Sequence, residues 1–265
     1  TVLEETQESH YEKEEWCQYV VLSLLEMKQS HYTRIQTLTQ DLFSAIQESV
    51  DYFHSLTPKE KEQLLDELAF SKYQQRLILN GKRMDKFSYL CRFDLVYDET
   101  FDAFKCIEFN SATPMGLSES AISNTVINDY YKRQSPNRLE KGLVDMWDNI
   151  REELNIGTIR DSIGTDTIYF SSLRNHEEDR LNVEFQMNHA GHHGDVRFIG
   201  LEDIHVTDDG LYDESGNKIN YWYKLFPMEY WELEPSDISH RLEKLVTEQN
   251  VDMINPVDAF LVQNK

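Results

Sequence analysis

The sequence predicts a mixed α/β fold in which a helical N-terminal region is followed by a sheet flanked by helices. Residues 11–69 repeat apolar side chains with the period of a helix. From residue 88 onward, short apolar strands alternate with helical segments, which is typical of βαβ connections and a partly parallel sheet. We therefore divide the chain into a helical region, residues 1–86, and a mixed α/β region, residues 87–265.

The composition supports a folded protein and excludes several partners. Hydrophobic residues make up 40% of the 265 residues, which is enough to bury a core. The net charge of −22 would repel nucleic acid and attract cationic small molecules such as polyamines, although acidity also keeps proteins soluble. The three cysteines lack zinc or disulfide spacing, and no apolar run is long enough to cross a membrane. We expect a cytoplasmic protein without nucleic-acid or membrane partners.

The helical region contains one clear helix start. Thr57 is a good N-cap, Pro58 suits the first helical position, and Glu60 completes a capping box. Before it, apolar residues recur at spacings of three and four, among them Trp16, Tyr19, Val20, Leu24, Ile35, Leu38, Leu42 and Ile46.

The mixed region begins with two strands, residues 88–97 and 101–110, joined by a polar turn. Helices are predicted for residues 118–131 and 177–190, from Ser135 through Ile150, and from Asp237 to Val246. Further strands are predicted for residues 167–171, 196–201 and 219–225.

The first two strands predict a polar patch. Side chains alternate between the faces of a strand, so Arg92 shares a face with Asp94, and Glu108 shares a face with Asn110. If the apolar residues of both strands, Ile107 among them, point at one core, the two polar sets must also coincide. The sequence therefore predicts that these four polar side chains lie together.

That patch has the residue types of a metal and phosphate site. Neighbouring carboxylates repel each other unless a cation lies between them, and carboxylate and amide oxygens are ligands that Mg²⁺ prefers. Arg92 could neutralise a transferring phosphoryl group. Alternating strands are common, so an ordinary half-solvated hairpin stays open as the alternative.

A second candidate metal site is weaker. His189, His192 and His193 lie close together in the sequence, but their spacing matches no common ligand pattern. The alternative is a solvated loop.

Several motifs resemble the glutathionylspermidine synthase family. Arg92-Phe-Asp94, followed by Ile107-Glu-Phe-Asn-Ser-Ala-Thr-Pro114 and Glu119, is similar to the family's "RFD … EYNADTP … EA" signature. Later segments resemble the family's "EED", "IEDI", "KLYPWEW" and "EPAW … LSNK" segments in the same order: residues 176–180, 201–204, 223–229 and 255–265. The resemblance covers about residues 85 to 265.

The resemblance implies an ATP-grasp-like fold and a set of site residues. Asp94, Glu108 and Asn110 match the family's Mg²⁺ ligands, and Arg92 matches its arginine at the acyl-phosphate site. The remaining matches are Thr113 and Glu119 for substrate binding, Glu177 and Glu178 as an acidic pair for substrate binding, and Lys265 as a nucleotide-binding lysine.

The implied activity is an ATP- and Mg²⁺-dependent ligase that joins a small carboxylate, such as a peptide, to an amine through an acyl phosphate. Polyamines are among the amines that the resemblance suggests. The family continues past the segment that ends at Lys265, so we expect the fold to be incomplete within these residues. Ala112 and Met228 replace an Asp and a Trp of the family pattern. The alternative is a binding or assembly module that keeps the ligase fold without the chemistry.

Overall fold

A computed structural model describes residues 26–134, 138–157 and 166–263 of the protein. The helices in these ranges are α1 (Gln29–Ser55), α2 (Pro58–Glu67), α3 (Lys72–Asn80), α4 (Leu117–Tyr131), α5 (Leu139–Glu153), α6 (Glu177–Ala190), α7 (Ser236–Thr247) and α8 (Val257–Leu261). The strands are β1 (Arg92–Asp98), β2 (Ala103–Asn110), β3 (Ile168–Ser172), β4 (Val196–Gly200), β5 (His205–Val206), β6 (Leu211–Tyr212), β7 (Lys218–Ile219), β8 (Tyr221–Lys224) and β9 (Asp252–Ile254).

A four-stranded parallel sheet with the order β4-β3-β8-β9 forms the centre of the fold. All five residues of β3 are buried, as expected for a parallel strand that is covered on both faces. Ile168 and Phe170 point to one side, and Tyr169 points to the other. The sheet is therefore the middle of three layers.

Two helical layers cover the two faces of this sheet. Helices α1, α2, α3 and α7 bury apolar side chains against the face that carries Tyr169 and Trp222. Helices α5 and α6 cover the opposite face, where Trp147 packs against Phe170 and Tyr223. The helices of residues 26–80 thus share a core with strands that lie far along the chain. The division of the chain into two regions near residue 86 stays a prediction.

Two smaller sheets complete the described fold. Strands β1 and β2 form an antiparallel hairpin, and β5, β6 and β7 form a three-stranded antiparallel sheet. The predicted mixed α/β class is confirmed, as are the helices predicted for residues 118–131 and 177–190.

Other boundaries differ from the prediction. The strand predicted for residues 219–225 is divided into β7 and β8, and β9 and α8 were not predicted. The helical pattern before residue 26 and the predicted helix start at Ser135 lie outside the described residues.

A β-bulge in the hairpin corrects one prediction. Asp94 pairs with Glu108, but Leu95 pairs with Cys106, so Ile107 is the extra residue. Its side chain is 66% exposed and does not share the apolar face with Phe109, whose ring stacks on Phe93. Strict alternation fails here because the bulge adds one residue to β2 only.

No helix in the described parts of the chain combines the length and apolar character needed to cross a membrane.

The capping box at the start of α2 gives a stability prediction. The Thr57 side chain accepts from the backbone N–H of Glu60, whose carboxylate accepts from the Thr57 N–H at 2.9 Å. We expect Thr57→Ala to lower the free energy of unfolding by about 1 kcal/mol, measured by urea denaturation. Thr37→Ala, in the exposed interior of α1, is the control and should cause no loss, because Ala favours a helix. Equal losses in both variants would contradict a role for the cap.

Candidate functional site

The predicted polar patch forms on the hairpin at the ends of β1 and β2. The strand register pairs Arg92 with Asn110 and Asp94 with Glu108, which confirms the predicted coincidence of the two polar sets. Arg92 donates from Nε and Nη2 to both carboxylate oxygens of Asp94, at 2.6 and 3.1 Å. Its Nη1 donates to the Met115 carbonyl oxygen at 2.9 Å, which ties the patch to the loop before α4.

The Asn110 amide links the remaining members of the patch. In the orientation that satisfies its hydrogen bonding, its oxygen accepts from Arg92 Nη2 at 3.1 Å and its nitrogen donates to Glu108 Oε1 at 3.3 Å. Hydrogen bonding to Asp94 raises the pKa of Arg92, and attraction from the charges of Asp94 and Glu108 adds to the effect. The four side chains therefore form one connected, charge-assisted network.

The donor set of this network fits Mg²⁺. Asp94 and Glu108 carry carboxylate oxygens at directly opposite positions, and Asn110 carries an amide oxygen. In this structure the oxygens of Asp94 and Asn110 accept hydrogen bonds from Arg92, which an arriving cation would replace. Such hard oxygen donors suit Mg²⁺, which completes its shell with water and phosphate oxygens.

The histidines predicted as a second candidate do not form a metal cluster. Among the residues that the structure describes, no three His, Cys, Asp or Glu side chains gather closely enough to hold a metal. His193 Nδ1 instead lies 2.8 Å from an Asp148 oxygen, and His189 Nδ1 lies 2.8 Å from the Phe185 carbonyl oxygen. The solvated-loop alternative describes this segment better.

The other motifs meet at one edge of the parallel sheet. Glu177 and Glu178 follow the carboxyl end of β3, Glu202 follows β4, Lys224 ends β8, and Asn255 follows β9. From β3 the chain continues to β4 on one side, and the later strand β8 lies on the other side of β3. The gap between β3 and β8 is therefore a topological switch point of the sheet. Ligands of open α/β sheets bind at the carboxyl edge beside such a switch point.

Asn182 is a contact residue that the sequence did not reveal. Its side-chain oxygen accepts from Ser118 Oγ at 3.0 Å, and its nitrogen donates to Glu119 Oε1 at 2.9 Å and to the Glu178 carbonyl oxygen at 3.1 Å. It therefore joins the start of α4 to the start of α6. In the sequence, the one feature that could have pointed to this role is the position of Asn182 next to the apolar Val183 within a predicted helix.

Glu119 is held as a carboxylate by this contact. Burial by itself raises the pKa of Glu119, but hydrogen bonds from its own backbone N–H, Asn182 and Ser118 outweigh that effect and lower it. The Glu119 side chain is therefore ionised at neutral pH.

The acidic pair lies in the first turn of α6, where negative charge is favoured by the helix dipole. Glu177 and Glu178 are exposed, whereas burial raises the pKa of the next residue, Asp179, despite its nearby partner His176. The loop before α6 is fastened by Arg174, whose Nε donates to Asp203 at 3.1 Å.

Thr113 is not among the residues that make these contacts. Thr113 is half-buried in the loop that leads from Asn110 to α4. Lys265 lies outside the described residues.

Lys224 is a buried cation that the sequence analysis did not assign to the site. Its ammonium donates to the Phe226 carbonyl oxygen at 3.0 Å and lies 5.3 Å from the centre of the Trp231 ring. Burial lowers the pKa of Lys224 to about 8, and the Glu229 carboxylate opposes this shift. Within the described chain, Glu229 Oε2 is buried without a hydrogen-bond partner. A Lys after three aromatic strand residues was its sequence signal.

Comparison with known families identifies the chain. The family model described as "Glutathionylspermidine synthase preATP-grasp" matches residues 4–265. The chain belongs to the glutathionylspermidine synthase family. No curated protein matches the chain in a direct sequence search.

Membership in the glutathionylspermidine synthase family confirms the resemblance drawn from the motifs. It points to an enzyme of the ATP-grasp ligase type that acts on small molecules. The matched span includes both the helices of residues 26–80 and the strands that follow, so the family assignment does not rest on the hairpin motifs alone.

The pKa of Lys224 gives a prediction for stability against pH. The folded-state pKa of about 8 lies below the ordinary lysine pKa of 10.5, so between these two pH values the unfolded chain holds a proton that the folded chain has lost. The stability of the wild type relative to Lys224→Met should therefore rise between pH 8 and pH 10, by about 2 kcal/mol. Urea denaturation of both proteins at the two pH values measures this difference. A constant difference would show that Lys224 titrates normally.

Proposed function

We propose that the protein is an ATP- and Mg²⁺-dependent ligase that forms an amide between a small carboxylate and an amine. The carboxylate of a small acid, such as a peptide, attacks the γ-phosphate of ATP, which gives an acyl phosphate and ADP. The amine then attacks the acyl carbon, and phosphate leaves as the amide bond forms.

The observation that carries this proposal is the network of Arg92, Asp94, Glu108 and Asn110. An ordinary solvated hairpin does not require an arginine, two carboxylates and an amide in one connected group. Phosphoryl transfer depends on such groups, because its catalysis is mostly positioning and charge stabilisation. The family match supports the same class of reaction.

We assign Asp94, Glu108 and Asn110 to hold Mg²⁺. When bound, the ion supplies charge neutralisation to the phosphate oxygens. Arg92 would neutralise the phosphoryl group in transfer, since a guanidinium stays positively charged at neutral pH. Asp94 holds the guanidinium plane in place through its paired hydrogen bonds. We assign the nucleotide contact to Lys265, two residues beyond the described chain.

The substrate roles are assigned to the residues around α4 and α6. Glu177 and Glu178 would attract a cationic amine, because exposed carboxylates in an acidic protein of net charge −22 favour polyamines. Thr113 would contact the acid substrate, and Glu119 is assigned to substrate binding. The contacts of Asn182 hold Glu119 and α6 together, and this arrangement supports a shared pocket for the two substrates.

Replacement of Glu108 tests the proposed chemistry. In the full-length natural protein, we expect Glu108→Ala to lower kcat for ADP release by at least about 100-fold, because a Mg²⁺ ligand is lost. ADP release is measured with Mg-ATP, small peptides and polyamines. Glu99→Ala removes the same charge from the exposed hairpin turn and is the matched control, expected to retain activity.

The outcomes of this assay separate the two readings of the family fold. ADP release that requires both an acid and an amine supports a ligase and identifies its substrates. A folded Glu108→Ala protein with normal turnover would remove the proposal. A folded wild type that neither binds Mg-ATP nor releases ADP would support the alternative, a binding or assembly module without ligase activity.

Replacement of the acidic pair tests amine binding separately. We expect the double variant Glu177→Gln, Glu178→Gln to raise KM for a polyamine about 10-fold while leaving KM for ATP unchanged, because only attraction to the amine is lost. Added salt should raise the wild-type KM for the amine and affect the variant less. Glu140→Gln, in the first turn of α5, is the control. An unchanged KM for the amine would assign the amine site elsewhere.

A further inference from the structure

The buried amide of Asn255 bonds both ends of the chain at the base of the hairpin. Its side-chain oxygen accepts from the backbone N–H groups of Tyr89 and Leu90, at 2.9 and 3.1 Å. Its nitrogen donates to the carbonyl oxygens of Leu90 and Ser111, both at 2.7 Å. Both acceptor sites and both N–H donors of the amide are therefore used, and Asn255 is only 4% exposed.

Gln263 makes a second contact, with the chain that leaves β2. Its side-chain oxygen accepts from the backbone N–H groups of Ser111 and Ala112, at 3.0 and 2.7 Å. Ser111 Oγ also donates to the Ala259 carbonyl oxygen in α8, at 2.6 Å. The segment after β9 therefore binds the chain where it enters β1 and where it leaves β2.

These contacts matter because the hairpin has little core of its own. Every described residue of β1 and β2 is half-buried or exposed. At the far end, Arg34 of α1 donates to the Asp102 carbonyl oxygen at 2.6 Å. The position of the network end relative to the sheet is therefore set by the hydrogen bonds at the base together with the packing of Phe109 against the buried Phe87.

We propose that Asn255 and Gln263 are positioning residues, which fix the Arg92, Asp94, Glu108 and Asn110 network against the carboxyl edge of the parallel sheet. Asn255 follows β9 directly, so its amide connects the carboxyl edge of the sheet by hydrogen bonds to the residues before β1 and after β2. The catalytic part of this inference rests on the proposed function. The mechanical part, that the amides hold the hairpin base, does not.

The test compares Asn255→Asp and Gln263→Leu in the full-length natural protein. Asp keeps the acceptor but turns an oxygen toward two carbonyl oxygens, and Leu leaves two backbone N–H groups without their acceptor. Gln75→Leu is the matched control, since Gln75 is a buried amide bonded to Asp66 and to the Phe70 carbonyl oxygen. Gln263→Leu keeps the test available if Asn255→Asp does not fold.

Hydrogen exchange and Mg²⁺ dependence are the two measurements. We expect both variants to exchange the backbone amides of residues 88–112 at least about 10-fold faster than wild type, because the base opens locally. The Mg²⁺ concentration for half-maximal ADP release should rise about 10-fold, and excess Mg²⁺ should restore kcat. The Gln75→Leu protein should show neither change, which separates positioning from a general loss of stability.

The outcomes distinguish this inference from the proposed function. If folded Asn255→Asp or Gln263→Leu exchanges its hairpin amides at the wild-type rate, the positioning role is overturned. Faster exchange in an active variant whose Mg²⁺ dependence is unchanged would overturn it as well. A wild type without ADP release would refute the proposed function, and exchange in residues 88–112 would then decide the mechanical role alone.

Discussion

The fold depends on the burial of β3 from both sides. A parallel strand with five buried residues requires an apolar layer on each face, and the two helical layers meet that requirement. Because all four strands of the sheet run in the same direction, their carboxyl ends lie along one edge. The motifs that follow β3, β4, β8 and β9 are thereby brought close together although they are far apart in the sequence.

The sequence predicted the elements whose signal is long or chemically specific. The capping box at Thr57 marks a helix start that depends on local hydrogen bonds alone, and the structure contains it. By contrast, β9 has three residues and α8 has five, which is too short for either to show a clear period. β9 is placed by its pairing with β8, and α8 is placed by contacts with the hairpin and with α3. One sequence does not encode such contacts between distant residues in a readable pattern.

The candidate site was predictable to the extent that it follows strand alternation. Arg92, Asp94, Glu108 and Asn110 meet because the register near the end of the hairpin is regular. The prediction failed for Ile107, since a bulge is a backbone event with no fixed residue signature. Asn255 was missed for another reason: its amide bonds only to backbone groups, which leave no pattern in the sequence. Asn182 was missed because its side-chain partners, Ser118 and Glu119, lie more than sixty residues away in the chain. The roles of the site residues remain predictions.

The bulge at Ile107 also affects what the hairpin can bind along its sides. Within the described chain, β1 and β2 pair only with each other, so each presents an outer backbone edge. Such edges can template a strand from another molecule, which is a route to aggregation. A bulge interrupts the regular ladder and increases the local twist, so a straight incoming strand cannot follow the edge past it. The irregularity that exposes Ile107 thereby shortens the regular backbone edge that β2 offers to an incoming strand.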